Sequence, residues 1–152
     1  MEARMNHPMF VVPGAIDAVH KLSEAAASTG VPYPTLKMVE LRASQINGCS
    51  FCVDMHAREL RKAGESEERI ATVAAWRDAP WFSDAERAAL ALTEVVTRIA
   101  DRPDPVGDEI WAEAARHYDE KQLSGLLLDI ATINVWNRVN VATRSVAGKY
   151  DG

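Results

Sequence analysis

The sequence predicts an all-α fold, and three observations favour it. Apolar residues recur at spacings of three and four along most of the chain, as they do on one face of an α-helix. Serine and aspartate residues that can cap helix N-termini precede several of these stretches. Strand signals, such as alternating apolar runs joined by tight turns, are almost absent. We therefore predict about seven helices and no strand.

Glycine and proline residues separate the first four predicted helices. Pro32 and Pro34 prevent the first helix from continuing, because proline lacks the backbone donor that a helix interior needs. Gly48 separates the second helix from the third, since glycine is a poor helix-interior residue. The four apolar patterns run from Pro13 to about Gly30, from Thr35 to Ile46, from Cys49 to about Gly64, and from Ser66 onward.

Two of the three later helices are marked at their N-termini as well as by their periodicity. Ser83 and Glu86 match a capping box, in which the serine and the residue three positions on satisfy each other's free backbone donors. Asp119 is predicted to cap the last and longest helix. The three apolar patterns run from Ser83 to Ile99, from Ile110 to Tyr118 and from Asp119 to Val139.

The length and charge of the chain limit its function classes. A chain of 152 residues without an obvious linker fits one domain, which we expect to span residues 1–152. The formal net charge of −5 argues against nucleic acid or an anionic membrane as the main partner, because both need a cationic surface. We identify no signal peptide and no membrane span, so the expected location is the cytoplasm.

Two cysteines and a histidine form the most informative pattern in the chain. Cys49 and Cys52 are separated by two residues, and His56 follows Cys52 by four. At about 100° per residue, the three side chains fall within a sector about 60° wide on one helix face. Because Gly48 is expected to break the helix, the cysteines would lie in the first turn of a new one, whose free N–H groups and dipole lower a thiol pKa. His56 could take the proton of Cys52 or hold it by a hydrogen bond, which predicts a nucleophilic cysteine.

Other roles for these residues stay open at this point. The cysteines could be inert buried side chains, or the pair could serve a general disulfide oxidoreductase or redox sensor. A structural zinc site is a further alternative, with both cysteines and His56 as ligands and a fourth from His20, His117 or a carboxylate. We expect His7, His20 and His117 to be surface or core residues, and the four tryptophans to be core or subunit-contact residues.

The segment from Leu41 to His56, LRASQINGCSFCVDMH, resembles the AhpD-like alkylhydroperoxidase group of the carboxymuconolactone decarboxylase superfamily. Shorter matches extend the likeness over residues 33–145. The resemblance implies an all-α fold that assembles into homotrimers or homohexamers. It also implies that peroxides are reduced through a dithiol–disulfide cycle.

The resemblance implies a role for each residue of the motif. Cys52 would attack the peroxide, Cys49 would resolve the resulting sulfenic acid, and His56 would belong to a proton relay. The relay glutamate of the family lies twelve residues before the first cysteine, where this chain has Lys37. Glu40 is the predicted substitute, because a shift of three residues turns a side chain by only about −60° on a helix.

The sequence therefore predicts a thiol-dependent peroxidase that acts on a small peroxide. Its predicted site consists of Cys52, Cys49, His56 and Glu40. An unidentified thiol reductant of the lipoyl or thioredoxin kind would restore the dithiol by exchange. No bound cofactor and no metal are expected to be required.

Overall fold

The structure is a computed structural model that describes residues 1–149. In this range the chain forms eight α-helices and one 3-10 helix and no strand, which confirms the all-α prediction. The predicted domain over residues 1–152 includes residues 150–152, which lie outside the described residues. The α-helices are α1 (Pro8–Val11), α2 (Ala15–Ala27), α3 (Tyr33–Asn47), α4 (Ser50–Lys62), α5 (Glu67–Thr72), α6 (Asp84–Thr97), α7 (Asp108–His117) and α8 (Glu120–Thr143).

Two short elements are absent from the sequence prediction. The four-residue helix α1 begins at Pro8 and is capped by His7, whose Nδ1 accepts a hydrogen bond from Met9 N at 3.2 Å. A 3-10 helix, Val73–Ala75, follows α5 directly. Both elements are too short to show a helical period, so periodicity does not reveal them.

Capping boxes fix the starts of α6 and α8, as predicted for α6. Glu86 N donates to Ser83 Oγ at 3.2 Å, and Ser83 N donates to Glu86 Oε2 at 2.8 Å. Asp119 caps α8 as predicted. Gln122 N donates to Asp119 Oδ1 at 2.8 Å, and Asp119 N donates to Gln122 Oε1 at 3.0 Å. Each cap is expected to contribute about 1 kcal/mol to stability.

The helix α3 contributes to two buried apolar clusters and so lies at the centre of the fold. Leu36 of α3 belongs to the same cluster as Leu92 of α6 and Ile130 of α8. Met38 of α3 belongs to a second cluster with Leu90 of α6. This packing holds α3 between α6 and α8 and leaves its C-terminal end to lead into α4.

The longest helix, α8, buries several polar side chains along its 24 residues. Buried polar groups need partners, and three of these side chains, Asn134, Asn137 and Asn140, bond to residues at the end of α3 or the start of α4. In the part of the chain that the structure describes, neither α8 nor any other helix is long and apolar enough to cross a membrane. The buried polar side chains of α8 include Asp129, Thr132, Asn134, Asn137, Asn140 and Thr143.

Gly125 marks a close approach between α8 and the end of α2. A Cβ at this position would overlap Thr29 Oγ1 and would lie 2.9 Å from the Ala26 carbonyl oxygen. We expect Gly125→Ala to lower the free energy of unfolding by about 1–3 kcal/mol, because the backbone must move to make room. Ser124→Ala, at an exposed neighbouring position, should change it by less than about 0.5 kcal/mol. Urea denaturation of the two variants provides the comparison, and equal effects would contradict the close approach.

Candidate active site

A sharp turn joins α3 to α4 and places the cysteines at the start of α4. Gly48 ends α3 with φ 68° and ψ 28°, in the left-handed region that favours glycine. Cys49 N donates to Ser44 O at 3.0 Å, which closes the turn. Cys49 is then the N-cap of α4 and Cys52 lies in its first turn, as the sequence predicts.

Asparagines of α8 hold this turn in place. Asn47 Nδ2 donates to Asn134 Oδ1 and to Asn137 Oδ1, each at 2.9 Å. Asn137 Nδ2 donates in turn to Ser44 Oγ at 3.0 Å. Because Asn134, Asn137 and Ser44 are buried and share these hydrogen bonds, the start of α4 has a fixed position against α8.

Cys49 and Cys52 form a disulfide in this structure. Cys49 Sγ accepts a hydrogen bond from Cys52 N at 3.3 Å, so it takes the place of the serine or aspartate oxygen at other N-caps. Cys52 Sγ accepts a hydrogen bond from Asn140 Nδ2 at 3.4 Å. The side chains are only 2% (Cys49) and 0% (Cys52) exposed and pack against Ala43 and Ile133. A thiolate formed here would depend on hydrogen bonds from the protein rather than on water.

His56 is buried between carboxylates of α3 and α4. His56 Nδ1 lies 2.8 Å from Glu59 Oε2 and 3.2 Å from Glu40 Oε2. Lys37 Nζ lies 2.6 Å from the same oxygen of Glu40. The structure therefore brings Glu40 to the imidazole and places Lys37 beside the same carboxylate. Lys37 itself contacts Glu59 Oε2 more distantly, at 3.8 Å.

The spacing of Cys52 and His56 predicts a hydrogen bond that this structure does not contain. His56 Nε2 is buried and has no hydrogen-bond partner within residues 1–149. The prediction concerns the reduced thiol and stays a prediction, because in the disulfide form Cys52 has neither a proton to give nor a charge to attract the ring. Because the carboxylates hold Nδ1, Nε2 is the nitrogen that remains for a thiolate or a substrate.

The carboxylates keep His56 protonated at neutral pH. Burial opposes a charged imidazole, but the hydrogen bonds and negative charges of Glu40 and Glu59 outweigh it and raise the pKa of His56 to about 9. Burial also opposes the charge of Glu40, but the hydrogen bond from His56 and the charges of His56 and Lys37 lower the pKa of that carboxyl. His56 is therefore suited to donate a proton and to stabilise a thiolate, rather than to act as the base for Cys52.

Asp129 of α8 is a further acid of the site, and no motif or spacing in the sequence points to it. Asp129 is 4% exposed, and its carboxyl group lies within hydrogen-bond reach of the Glu40 carboxylate. Burial, followed by the negative charge of Glu40, raises the pKa of Asp129 to about 8. At neutral pH Asp129 is thus a neutral acid beside the Glu40 carboxylate. In the sequence it appears only as one charged residue within an apolar run.

We expect Asp129→Asn to stabilise the protein at neutral pH. The pKa of Asp129 is about 8 when folded and 3.8 in the reference state, so between these values only the folded state keeps the proton. Stability therefore falls as the pH rises through this window, and asparagine, which does not ionise, removes that loss. The variant should gain about 1–3 kcal/mol at pH 7.5 and little near pH 4.

Urea denaturation at the two pH values measures this gain. Asp17→Asn, which removes an exposed carboxylate of α2, is the control for a change of net charge. If the free energy of unfolding of Asp129→Asn changed with pH as it does in the parent protein, the raised pKa of Asp129 would be contradicted.

A cavity of about 980 Å³ has the His56 imidazole in its wall. The N-terminal segment and α2, α3, α4 and α8 all contribute to its lining. Trp136 lies in this wall between two histidines, with ring centroids 5.9 Å from His7 and 6.0 Å from His20. The cysteines are not among the lining residues, but Asn140, which donates to Cys52, is one of them.

The ligand set of the zinc alternative is not assembled in this structure. A disulfide holds both sulfurs, and a disulfide offers no thiolate to a metal. Glu40, His56 and Glu59 do bring one potential ligand atom each to within 4.8 Å of one another. However, Lys37 Nζ already lies 2.6 Å from Glu40, so a cation of the protein itself balances these carboxylates.

The chain is similar to known proteins over most of its length. Residues 13–95 match the carboxymuconolactone decarboxylase family. YdfG, an uncharacterised protein of Bacillus subtilis, is 36% identical over 132 residues, which are 87% of this chain and 88% of YdfG. This match covers the cysteines, His56 and most of the helices.

Solved structures share the fold. A protein of unknown function from Agrobacterium tumefaciens, ATU0492, whose name proposes an AhpD antioxidant-defence role, superposes with a TM-score of 0.88 and 35% identity over 96% of this chain and 98% of that chain. The debrominase Bmp8 superposes with a TM-score of 0.81 and 21% identity over 93% of this chain and 75% of its own, a likeness of fold alone. These matches confirm the resemblance seen in the sequence, and the chain belongs to the carboxymuconolactone decarboxylase family as one of its AhpD-like members.

Proposed function

We propose that this protein is a thiol-dependent peroxidase that reduces small peroxides through a Cys49–Cys52 dithiol–disulfide cycle. The observation that carries the proposal is the pairing of this disulfide, at the N-terminus of α4, with the buried ion pair of His56 and Glu40. A disulfide that served stability alone would need neither a buried imidazolium nearby nor an amide donor aimed at its sulfur. Family membership supports an enzymatic or redox role.

In the first step, the Cys52 thiolate attacks the terminal oxygen of a hydroperoxide. A bond forms between Sγ and that oxygen while the O–O bond breaks, so Cys52 becomes a sulfenic acid and an alkoxide leaves. His56 gives its proton to the alkoxide, which becomes an alcohol. The transfer is favourable because an imidazolium whose pKa is about 9 is a much stronger acid than an alcohol.

In the second step, the Cys49 thiol attacks the sulfur of the Cys52 sulfenic acid. The S–S bond forms and water leaves. The two sulfurs can bond without any rearrangement of the start of α4, since the disulfide is present in the helical form described here.

A dithiol must then reduce the disulfide by exchange and becomes a disulfide itself. We propose a lipoyl- or thioredoxin-like reductant. Of the two protons that its thiols lose, one stays on Cys49 and the other returns to His56, so that Cys52 is again a thiolate. We also propose a homotrimer or homohexamer as the working assembly, on the basis of the AhpD-like resemblance.

One observation favours a second candidate function, that of a general disulfide oxidoreductase or redox sensor. Cys49 and Cys52 form a disulfide at the N-terminus of α4, an arrangement that also suits thiol–disulfide exchange with a partner other than peroxide. To separate the two functions, the reduced protein is mixed with tert-butyl hydroperoxide or, separately, with oxidised lipoamide, and the loss of thiols is followed.

The peroxidase proposal predicts faster oxidation by the hydroperoxide at equal concentrations. Faster oxidation by the disulfide would favour the second candidate and would contradict the first. A variant that carries both Cys49→Ser and Cys52→Ser gives the background in each case, because it has no thiol left to oxidise.

A further inference from the structure

A chain of hydrogen bonds links the N-terminal segment to the sulfur of Cys52. Met9 N donates to His7 Nδ1 at 3.2 Å. His7 Nε2 lies 3.0 Å from Asn140 Oδ1, and Asn140 Nδ2 lies 3.4 Å from Cys52 Sγ. The segments that meet here are far apart in the sequence, since His7 and Asn140 are separated by 133 residues.

The backbone N–H of Met9 fixes the direction of each hydrogen bond between the N-terminal segment and Cys52. Because a backbone N–H can only donate, His7 Nδ1 is an acceptor, and the neutral ring carries its proton on Nε2. Nε2–H then donates to an amide oxygen, which orients Asn140 with Oδ1 toward His7 and Nδ2 toward Cys52. The sulfur therefore faces an N–H donor rather than an amide oxygen.

We propose that His7 is a positioning residue for Cys52, because it orients the Asn140 amide so that its N–H stabilises the Cys52 thiolate in the reduced protein. The use of the Asn140–Cys52 contact in catalysis rests on the proposed peroxidase function, whereas its effect on the pKa of the Cys52 thiol does not. The Asn140 amide acts from α8, whereas His56 and the free N–H groups that also stabilise a thiolate both belong to α4.

The burial of Cys52 makes a thiolate there depend on the Asn140 N–H. Burial in apolar surroundings raises the pKa of a thiol, and Cys52 is 0% exposed, so water does not replace a lost hydrogen bond. Asn140 is only 4% exposed. Arg4 holds the N-terminal segment in position: Arg4 N donates to Thr143 O at 2.9 Å, and an Arg4 guanidinium N–H donates to Ala142 O at 3.0 Å.

Two substitutions of His7 separate positioning from a purely structural role. His7→Asn keeps an acceptor near the place of Nδ1, so α1 keeps its cap, but it loses the Nε2 donor. His7→Gln places an amide N–H near the place of Nε2 and loses the cap. The pKa of the Cys52 thiol is measured from the ultraviolet absorbance of the thiolate in a Cys49→Ser background, in which the serine oxygen can take over the N-cap of α4.

We expect His7→Asn to raise the pKa of Cys52 by about one unit, which is the effect of losing one hydrogen bond to a charged group. His7→Gln should leave the pKa within about 0.3 units of the parent protein, a shift too small for the loss of such a bond. The reverse order, with His7→Gln the more harmful, would show that His7 acts only by capping α1 and would overturn the proposal.

A double-mutant cycle tests whether the effect passes through Asn140. Asn140→Leu should raise the pKa of Cys52 by at least as much as His7→Asn does, and adding His7→Asn to Asn140→Leu should cause no further change. A second increase in the combined variant, or no change in either single variant, would overturn the proposal. Circular dichroism confirms that each variant is folded.

The pKa is measured without peroxide, so its outcome is independent of the peroxidase function. If His7→Asn raises the pKa but the parent protein fails to reduce peroxides, the proposed function is wrong and the positioning role stands. If the parent protein reduces peroxides and the pKa does not respond to His7→Asn, the positioning role is wrong.

Discussion

Cys52→Ser is expected to abolish peroxide reduction, down to the rate of the variant that lacks both thiols. The expectation follows from the site, in which Cys52 is the cysteine that accepts the Asn140 N–H and that His56 follows by one turn. Serine cannot replace the thiolate, because a hydroxyl is not ionised near neutral pH. Consumption of tert-butyl hydroperoxide in the presence of an excess of dithiol measures the loss.

Cys49→Ser is the matched control for this prediction. It keeps the nucleophile and removes the resolving thiol, so in the absence of the dithiol it should consume one equivalent of peroxide and stop at the sulfenic acid. Dimedone should then label Cys52, as mass spectrometry can detect. Peroxide reduction by Cys52→Ser at the parent rate would move the nucleophile to Cys49 and would contradict the mechanism.

At pH 8, Glu40→Gln is expected to lower the peroxidase rate by up to about 30-fold, because an imidazole with a pKa of about 9 is almost fully charged there, whereas one with the ordinary pKa of 6.5 is almost entirely neutral. Glu40 lies 3.2 Å from His56 Nδ1 and is one of two carboxylates that hold the imidazole in its charged form. Without it, the pKa of His56 falls from about 9 toward its ordinary value, and less of the enzyme holds the proton at neutral pH. The alkaline limb of the pH–rate profile should therefore move to lower pH.

Glu59→Gln provides the comparison, since Glu59 contacts the same ring nitrogen. The Glu59 side chain is 33% exposed, against 12% for Glu40, so water can partly replace it. We expect a loss of less than about tenfold and a smaller shift of the pH profile. Equal effects of the two substitutions would contradict a special role for Glu40. An unchanged pH profile in Glu40→Gln would show that the carboxylate does not control His56.

The parts of the site that the sequence predicts depend on local structure. Gly48 ends α3 in a conformation that favours glycine, and this break alone sets Cys49 at the N-cap of α4. The meeting of Glu40 with His56 follows from rotation along α3 once the two helices pack side by side. Glu59 could also have been found, because it follows His56 by three residues on the same helix face.

The remaining features depend on contacts between distant segments, which periodicity and spacing do not show. Asn140 reaches Cys52 across 88 residues of sequence, and Asp129 approaches Glu40 only because α8 packs against α3. The charge of His56 also depends on such contacts. A lone histidine beside a thiol is expected to act as a base, but two carboxylates raise the pKa of His56 to about 9, which suits it to donate a proton.

We predict that the Cys52 sulfur of the reduced protein is a thiolate at neutral pH in spite of its burial. Titration of the thiolate absorbance in Cys49→Ser, alone and combined with His56→Gln, tests it most directly. We predict a pKa below about 7 in Cys49→Ser and a clearly higher value once the imidazolium is removed. A pKa at or above the ordinary cysteine value of about 8.5, unchanged by His56→Gln, would contradict the account.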